Sequence, residues 1–139
     1  MKRRAAIALL PAAALLAQPY LDTEAFATLE QLCDLLIPSE PGSPGAREAR
    51  VAWYIHVVLQ HAPPDMQARW RQELARIGPG VTDAVMAREA ADESGFLNTL
   101  FKPLAIEAFC LSREGRAAFG YKGNRAIDAF PGCTHPEHA

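Results

Sequence analysis

Residues Leu32 to Ala49 read LCDLLIPSEPGSPGAREA, and this stretch limits what the rest of the chain can do. Apolar residues at helical spacing run into Ile37 and stop at Pro38. Proline has no N–H to donate and pushes the residue before it toward an extended conformation. Pro41, Gly42, Pro44 and Gly45 then fill a short, stiff connection. A second helix is expected from Ala46 to Gln60. Two helices joined by so short a link must lie against each other, so further helices have to be added to this pair. Ala49, Ala52, Trp53, Ile55, His56, Val57 and Leu59 leave the second helix little polar surface, which predicts a central position in the fold.

The flanking segments carry the same period. Asp22 or Thr23 is placed to cap a first helix, whose stripe is Phe26, Leu29, Leu32, Cys33 and Leu36. Pro64 suits the first turn of a third helix, with Met66, Trp70, Leu74 and Ile77 on one face. Arg69 and Arg71 cover its other side, and an arginine is expected to stack on Trp70. Gly78-Pro79-Gly80 breaks the chain before a weaker helix with Val81, Val85, Met86 and Ala90 as its apolar residues. Ser94 or Gly95 opens a last long helix through Phe96, Leu97, Leu100, Phe101, Leu104, Ile106 and Phe109. Pro103 lies inside it and predicts a kink near Thr99, whose carbonyl loses its partner. Ser112 to Arg116 is polar, and Ala117 to Gly132 reads as an irregular tail rich in glycine and aromatics. No segment shows the sustained alternation of a strand. The fold class is therefore all-α, a small helical domain of about five helices.

A chain of 139 residues supports one domain around one core. Residues 1–17 have the form of an export signal, leaving 18–139 as the domain. Lys2, Arg3 and Arg4 make a positive start, Ala5 to Leu16 an apolar run, and Ala17 offers a small residue at a cleavage position. The run is shorter than the roughly 20 apolar residues that span a bilayer. The paired Arg3-Arg4 suggests twin-arginine export, the route for proteins that cross already folded. Taking the three cations from the 14 Lys and Arg leaves 11 against 16 Asp and Glu, a net of −5. An acidic domain argues against nucleic-acid binding, which needs a basic face.

No catalytic motif stands out. CxxCH, GxGxxG, GxSxG, HExxH and CxxC are all absent, so the residues themselves indicate no catalytic, cofactor-binding or metal site. His56 reads as a core or rim histidine bonded to a neighbour. Cys33 and Cys110 are expected among apolar residues, as buried thiols or as a disulfide if their helices touch. Cys133 lies in a polar tail and is the candidate for a disulfide to another chain. The run from Cys133 to His138 offers thiol and imidazole ligands close together, but a chain end seldom supplies the fixed surroundings a metal site needs.

Several of these pieces, in this order and spacing, resemble the gluconate 2-dehydrogenase subunit 3 family. They are Leu32-Cys33-Asp34-Leu35-Leu36-Ile37-Pro38, then Pro44-Gly45-Ala46-Arg47-Glu48-Ala49. Gly120-Tyr121-Lys122-Gly123-Asn124 and Phe130-Pro131-Gly132 resemble the family's tail, with Lys122 where glycine is usual. A twin arginine near the N-terminus is also common there.

The resemblance implies a non-catalytic small subunit of a periplasmic flavin-dependent dehydrogenase acting on sugars, sugar acids or alcohols. In such complexes a large GMC-type subunit binds FAD and performs the oxidation, and a cytochrome c subunit carrying haem often passes the electrons on. The small subunit binds no cofactor; it assists folding and assembly and carries the export signal for the flavoprotein. It would reach the outer face of the inner membrane only through the complex. On this reading the partner interface is expected at Phe119, Tyr121, Gly123, Asn124, Ile127 and Phe130. The alternative is a free-standing periplasmic metal-binding or redox protein using Cys133, His135 and His138.

Overall fold

The computed structural model describes residues 20–124. They form six α-helices and one π-helical turn: α1 (Thr23–Leu36), α2 (Val51–Gln60), α3 (Pro64–Ile77), α4 (Asp83–Ala90), the π turn (Leu97–Phe101), α5 (Lys102–Leu111) and α6 (Arg113–Ala118). No strand forms among the described residues; a single antiparallel bridge joins Glu40 to Ser43. The fold class is all-α, as the sequence indicates.

The first helix starts where its cap requires. The Asp22 carboxylate accepts from the Ala25 N–H at 2.8 Å, satisfying one of the free first-turn donors. Leu29, Leu32 and Cys33 are buried along α1. At its end Ile37 turns away from helical geometry (φ −131°, ψ 77°), and its carbonyl accepts from the Ala46 N–H at 2.9 Å. Pro41 and Gly42 form a tight turn closed by two bonds between the backbones of Glu40 and Ser43, with Gly42 at φ +84°. Gly45 is required for a different reason: a Cβ there would stand 2.7 Å from the Ser39 nitrogen. The Glu48 carboxylate holds the same corner, accepting from the Gly45 N–H and from the Ser39 hydroxyl.

The second helix begins later than expected. Ala46 to Arg50 form turns, and the α-helix starts only at Val51, because Arg50 adopts a left-handed backbone (φ 55°, ψ 37°). The third and fourth helices follow the reading of the sequence, with Pro64 opening α3 and Thr82 capping α4. Gln67 on α3 donates to the Leu59 and Gln60 carbonyls at the end of α2.

The core lies between α1, α2, α3 and the π turn with α5. Leu29 and Leu32 form one cluster with Val51, Ile55 and Leu59 from α2, Trp70 and Leu74 from α3, and Leu97, Phe101 and Ala105 beyond. Trp70 packs edge-on against Phe96, with ring centroids 4.8 Å apart. The expected stacking of an arginine on Trp70 is therefore wrong. Trp70 is buried, and Arg71 lies over the Tyr20 ring instead, 4.9 Å from its centroid.

Two further expectations are corrected toward the C-terminal end. Pro103 does disturb the last long helix, and the disturbance takes the form of the π turn. The Lys102 N–H reaches back to the Leu97 carbonyl, five residues away, so the backbone widens where Pro103 cannot bond to Thr99. The polar stretch after Leu111 is a further helix. The Ser112 hydroxyl accepts from the Gly115 N–H at 2.8 Å and starts α6. Gly115 permits the sharp turn from α5 into α6, since a Cβ there would fall 1.9 Å from the Phe109 carbonyl oxygen.

Candidate partner-binding surface

α2 presents two apolar faces. Val51, Ala52, Ile55, His56 and Leu59 point into the core. Trp53, Tyr54, Val57 and Val58 follow at helical spacing on the other side, where Trp53 is 51% exposed and Val58 also reaches solvent. The expected central position holds, since α2 packs against α1, α3 and α5, and among the described residues its Trp53 and Val58 are left exposed. A groove of about 300 Å³ runs between this outer face and the C-terminal end of α5. Arg50, Trp53, Tyr54 and Val57 line it from α2 and its start, and Ala108 and Leu111 from α5. Leu111 is 53% exposed, and Ile106, earlier on α5, is 51% exposed. The Tyr54 hydroxyl lies 3.3 Å from the Glu107 carboxylate. Desolvation and then that negative charge push its pKa above the ordinary tyrosine value.

Trp53 is held from behind. Its indole stacks on the His56 ring at 5.6 Å and 22° between planes, and Phe26 meets the same imidazole edge-on at 5.6 Å. His56 is buried, and its Nε2 lies 3.3 Å from the Gln60 amide nitrogen. Its Nδ1 has no hydrogen-bond partner among the described residues. Burial lowers the His56 pKa below the ordinary histidine value. The expectation of a buried histidine bonded to one neighbour holds for Nε2.

The charges near the groove are unevenly matched. Arg47 pairs with Asp34 at 2.5 Å and approaches Glu30 at 4.0 Å. Arg50, three residues on and exposed, enters no ion pair among the described residues.

The sequence-derived interface residues are only partly within view. Phe119 is 69% exposed and packs edge-on against Phe109, with centroids 6.2 Å apart. Tyr121 is half-exposed, and its hydroxyl bonds to the Asn124 side chain. Gly123 has φ +91°, a backbone that side chains disfavour. Ile127, Phe130 and Cys133 lie outside the described residues, as do Arg3, Arg4, Ala17, His135 and His138. Tyr121 and Asn124 are thus brought together, while Phe119 is tied to α5. The groove itself is not among the surfaces expected from the sequence. Its signal is present in the apolar residues at 53, 54, 57 and 58, which read equally well as core.

The cysteine expectations also divide. Cys33 is buried as anticipated, and its thiol pKa is raised by burial, then by the nearby Asp34 and Glu30 charges. Cys110 is exposed rather than buried, and among the described residues the two form no disulfide. Cys110 turns outward because Ala108 and Phe109 take the inward positions at the end of α5. Among the described residues no three His, Cys, Asp or Glu side chains gather to hold a metal ion. No helix among the described residues is long and apolar enough to cross a membrane.

Fold and surface together define a small all-α domain with a well-covered side and an apolar side left open. Residues 23–84 match the family model for gluconate 2-dehydrogenase subunit 3, which supports the family read from the sequence. The match spans α1, α2, α3 and the start of α4. Comparison with curated proteins and with solved structures finds no match.

Proposed function

We propose that this chain is the non-catalytic small subunit of a flavin-dependent dehydrogenase complex acting on a sugar, sugar acid or alcohol. The observation that carries the reading is the family match over residues 23–84. It includes the helix-Pro-Gly-helix corner between α1 and α2. The open apolar side supports it as well, since Trp53, Ile106, Leu111, Phe119 and Tyr121 leave large apolar surface in water. On this reading a larger chain binds FAD and oxidises the substrate, and complexes of this kind often pass the electrons to a haem-bearing cytochrome c subunit. The small subunit stabilises the flavoprotein during assembly and carries it across the inner membrane with its own export signal, Arg3 and Arg4 forming the twin arginine. The complex then works in the periplasm.

The test is purification of the tagged full-length chain from its native host, with an absorbance spectrum of the eluate. A second, larger chain with flavin bands is the expected result. A colourless, single-chain eluate would remove the reading.

A further inference from the structure

We propose that the groove between α2 and the end of α5 is the seat of the flavoprotein subunit, and that it takes a segment presenting an apolar side chain beside a carboxylate. The inference rests on the small-subunit reading and deepens it by moving the principal contact from the tail to this groove.

Three observations converge there. The groove walls are apolar and open: Trp53, Val57, Ala108 and Leu111 line it, with Trp53 and Leu111 each about half exposed. An apolar side chain from a partner would remove both from water, which is the main source of favourable association. Trp53 is also fixed in advance by its stack on buried His56, so little side-chain freedom remains to be lost on binding.

Arg50 supplies the specificity. It lines the groove, is exposed, and meets no carboxylate among the described residues, whereas Arg47 beside it is engaged by α1. A cation next to an apolar pocket is complementary to a carboxylate next to an apolar side chain. Arg50 also stands in a left-handed backbone, where glycine would be free of strain. Arginine there destabilises the isolated chain, and pairing with a partner's carboxylate offsets that strain in the complex. Tryptophan and arginine are moreover the side chains that most often dominate protein interfaces.

The experiment compares the complex formed by the full-length wild-type chain with those formed by Arg50→Gly and Leu111→Glu. Flavin absorbance per small subunit is read after washing, and melting of each isolated chain is followed by circular dichroism. Arg50→Gly is expected to weaken retention about tenfold, with the difference shrinking at high salt, while the isolated chain melts no lower than wild type. Leu111→Glu is expected to abolish retention with helical content unchanged. If wild type retains the flavoprotein and both variants match it, the groove assignment is overturned and the small-subunit reading stands. If wild type itself retains no flavoprotein, the small-subunit reading falls and takes the groove assignment with it. A dimer of the isolated chain that Leu111→Glu disperses would assign the groove to a second copy and overturn the proposal.

Discussion

The two sides of this domain solve the same problem differently. On the side of α3 and α4 the apolar residues are edged by polar groups that have partners. The Glu89 carboxylate is nearly buried and accepts from both terminal nitrogens of Arg76, at 3.0 and 2.5 Å, and from Arg88 at 3.1 Å. Arg76 also holds Glu73 at 2.8 Å. The Gln31 side chain on α1 accepts from the Gly80 and Val81 N–H groups and ties down the link between α3 and α4. On the side of α2 and α5, among the described residues, a contact between Tyr54 and Glu107 stands in place of such a network. Among those residues exposure is therefore local, since the large exposed apolar side chains all lie outside α3 and α4.

The contrast can be tested at four points. Leu74→Ala, in the middle of the covered side, should cost about 3 kcal/mol of stability, seen as a lower midpoint in urea unfolding. A loss under about 1 kcal/mol would mean that this side is not close-packed. Glu89→Ala leaves Arg76 and Arg88 without their shared acceptor. A loss of about 2 kcal/mol is expected, and a double-mutant cycle with Arg76→Ala should show strong coupling. Additive effects would mean that the carboxylate does not bind the two helices together.

The third test varies pH. The hydrogen bonds from Arg76 hold the Glu89 carboxyl below its ordinary pKa, so this group weakens the fold only as the solution becomes strongly acidic. His56 acts earlier. Its folded pKa is lowered, so the unfolded chain takes up a proton before the folded one does. Its contribution is whole above about pH 6.5 and is lost as pH falls below that value. Between about pH 7.5 and 5.5 the loss is at most about 1.4 kcal/mol, or a few degrees in melting temperature. His56→Gln should flatten the dependence over that interval, and an unchanged slope would sink the assignment. The smallest effect belongs to the open side. Leu111→Ser should shift the stability of the isolated chain by less than about 1 kcal/mol, because the residue is half in water already. A much larger loss would mean that Leu111 supports the core.

How much of this is legible in the sequence depends on whether the controlling residue announces itself. Pro38, Pro64 and Pro103 mark their elements through chemistry that does not depend on surroundings, and each acts where the sequence places it. Arg50 gives no such signal. A left-handed backbone is expected at glycine or asparagine, and here the turn around Arg50 is closed by the bond from the Val51 N–H to the Ala46 carbonyl. Glu89 escapes for a related reason. Apolar composition favours Ala90 as the inward residue, but the tie to Arg76, a residue on another helix, turns Glu89 inward and leaves Ala90 exposed. α6 is legible in part, since Ser112 has the side chain of a cap, but its six residues are too few for a period to show. The outer face of α2, and with it the candidate site, is hidden for a third reason. An apolar helix reads the same whether its second face meets its own chain or solvent.

The π turn ahead of α5 makes this fold tolerant of counting at one place and sensitive to it next door. It holds one residue more than an α-helical turn over the same path, so the segments before and after it keep the rotation of an unbroken helix. Deleting the exposed Thr99 would let the turn close into ordinary helix and leave Phe96 against the edge of Trp70. Deleting a residue from the regular turns of α5 would instead rotate one side of the helix by about 100° against the other, although no core side chain need be altered.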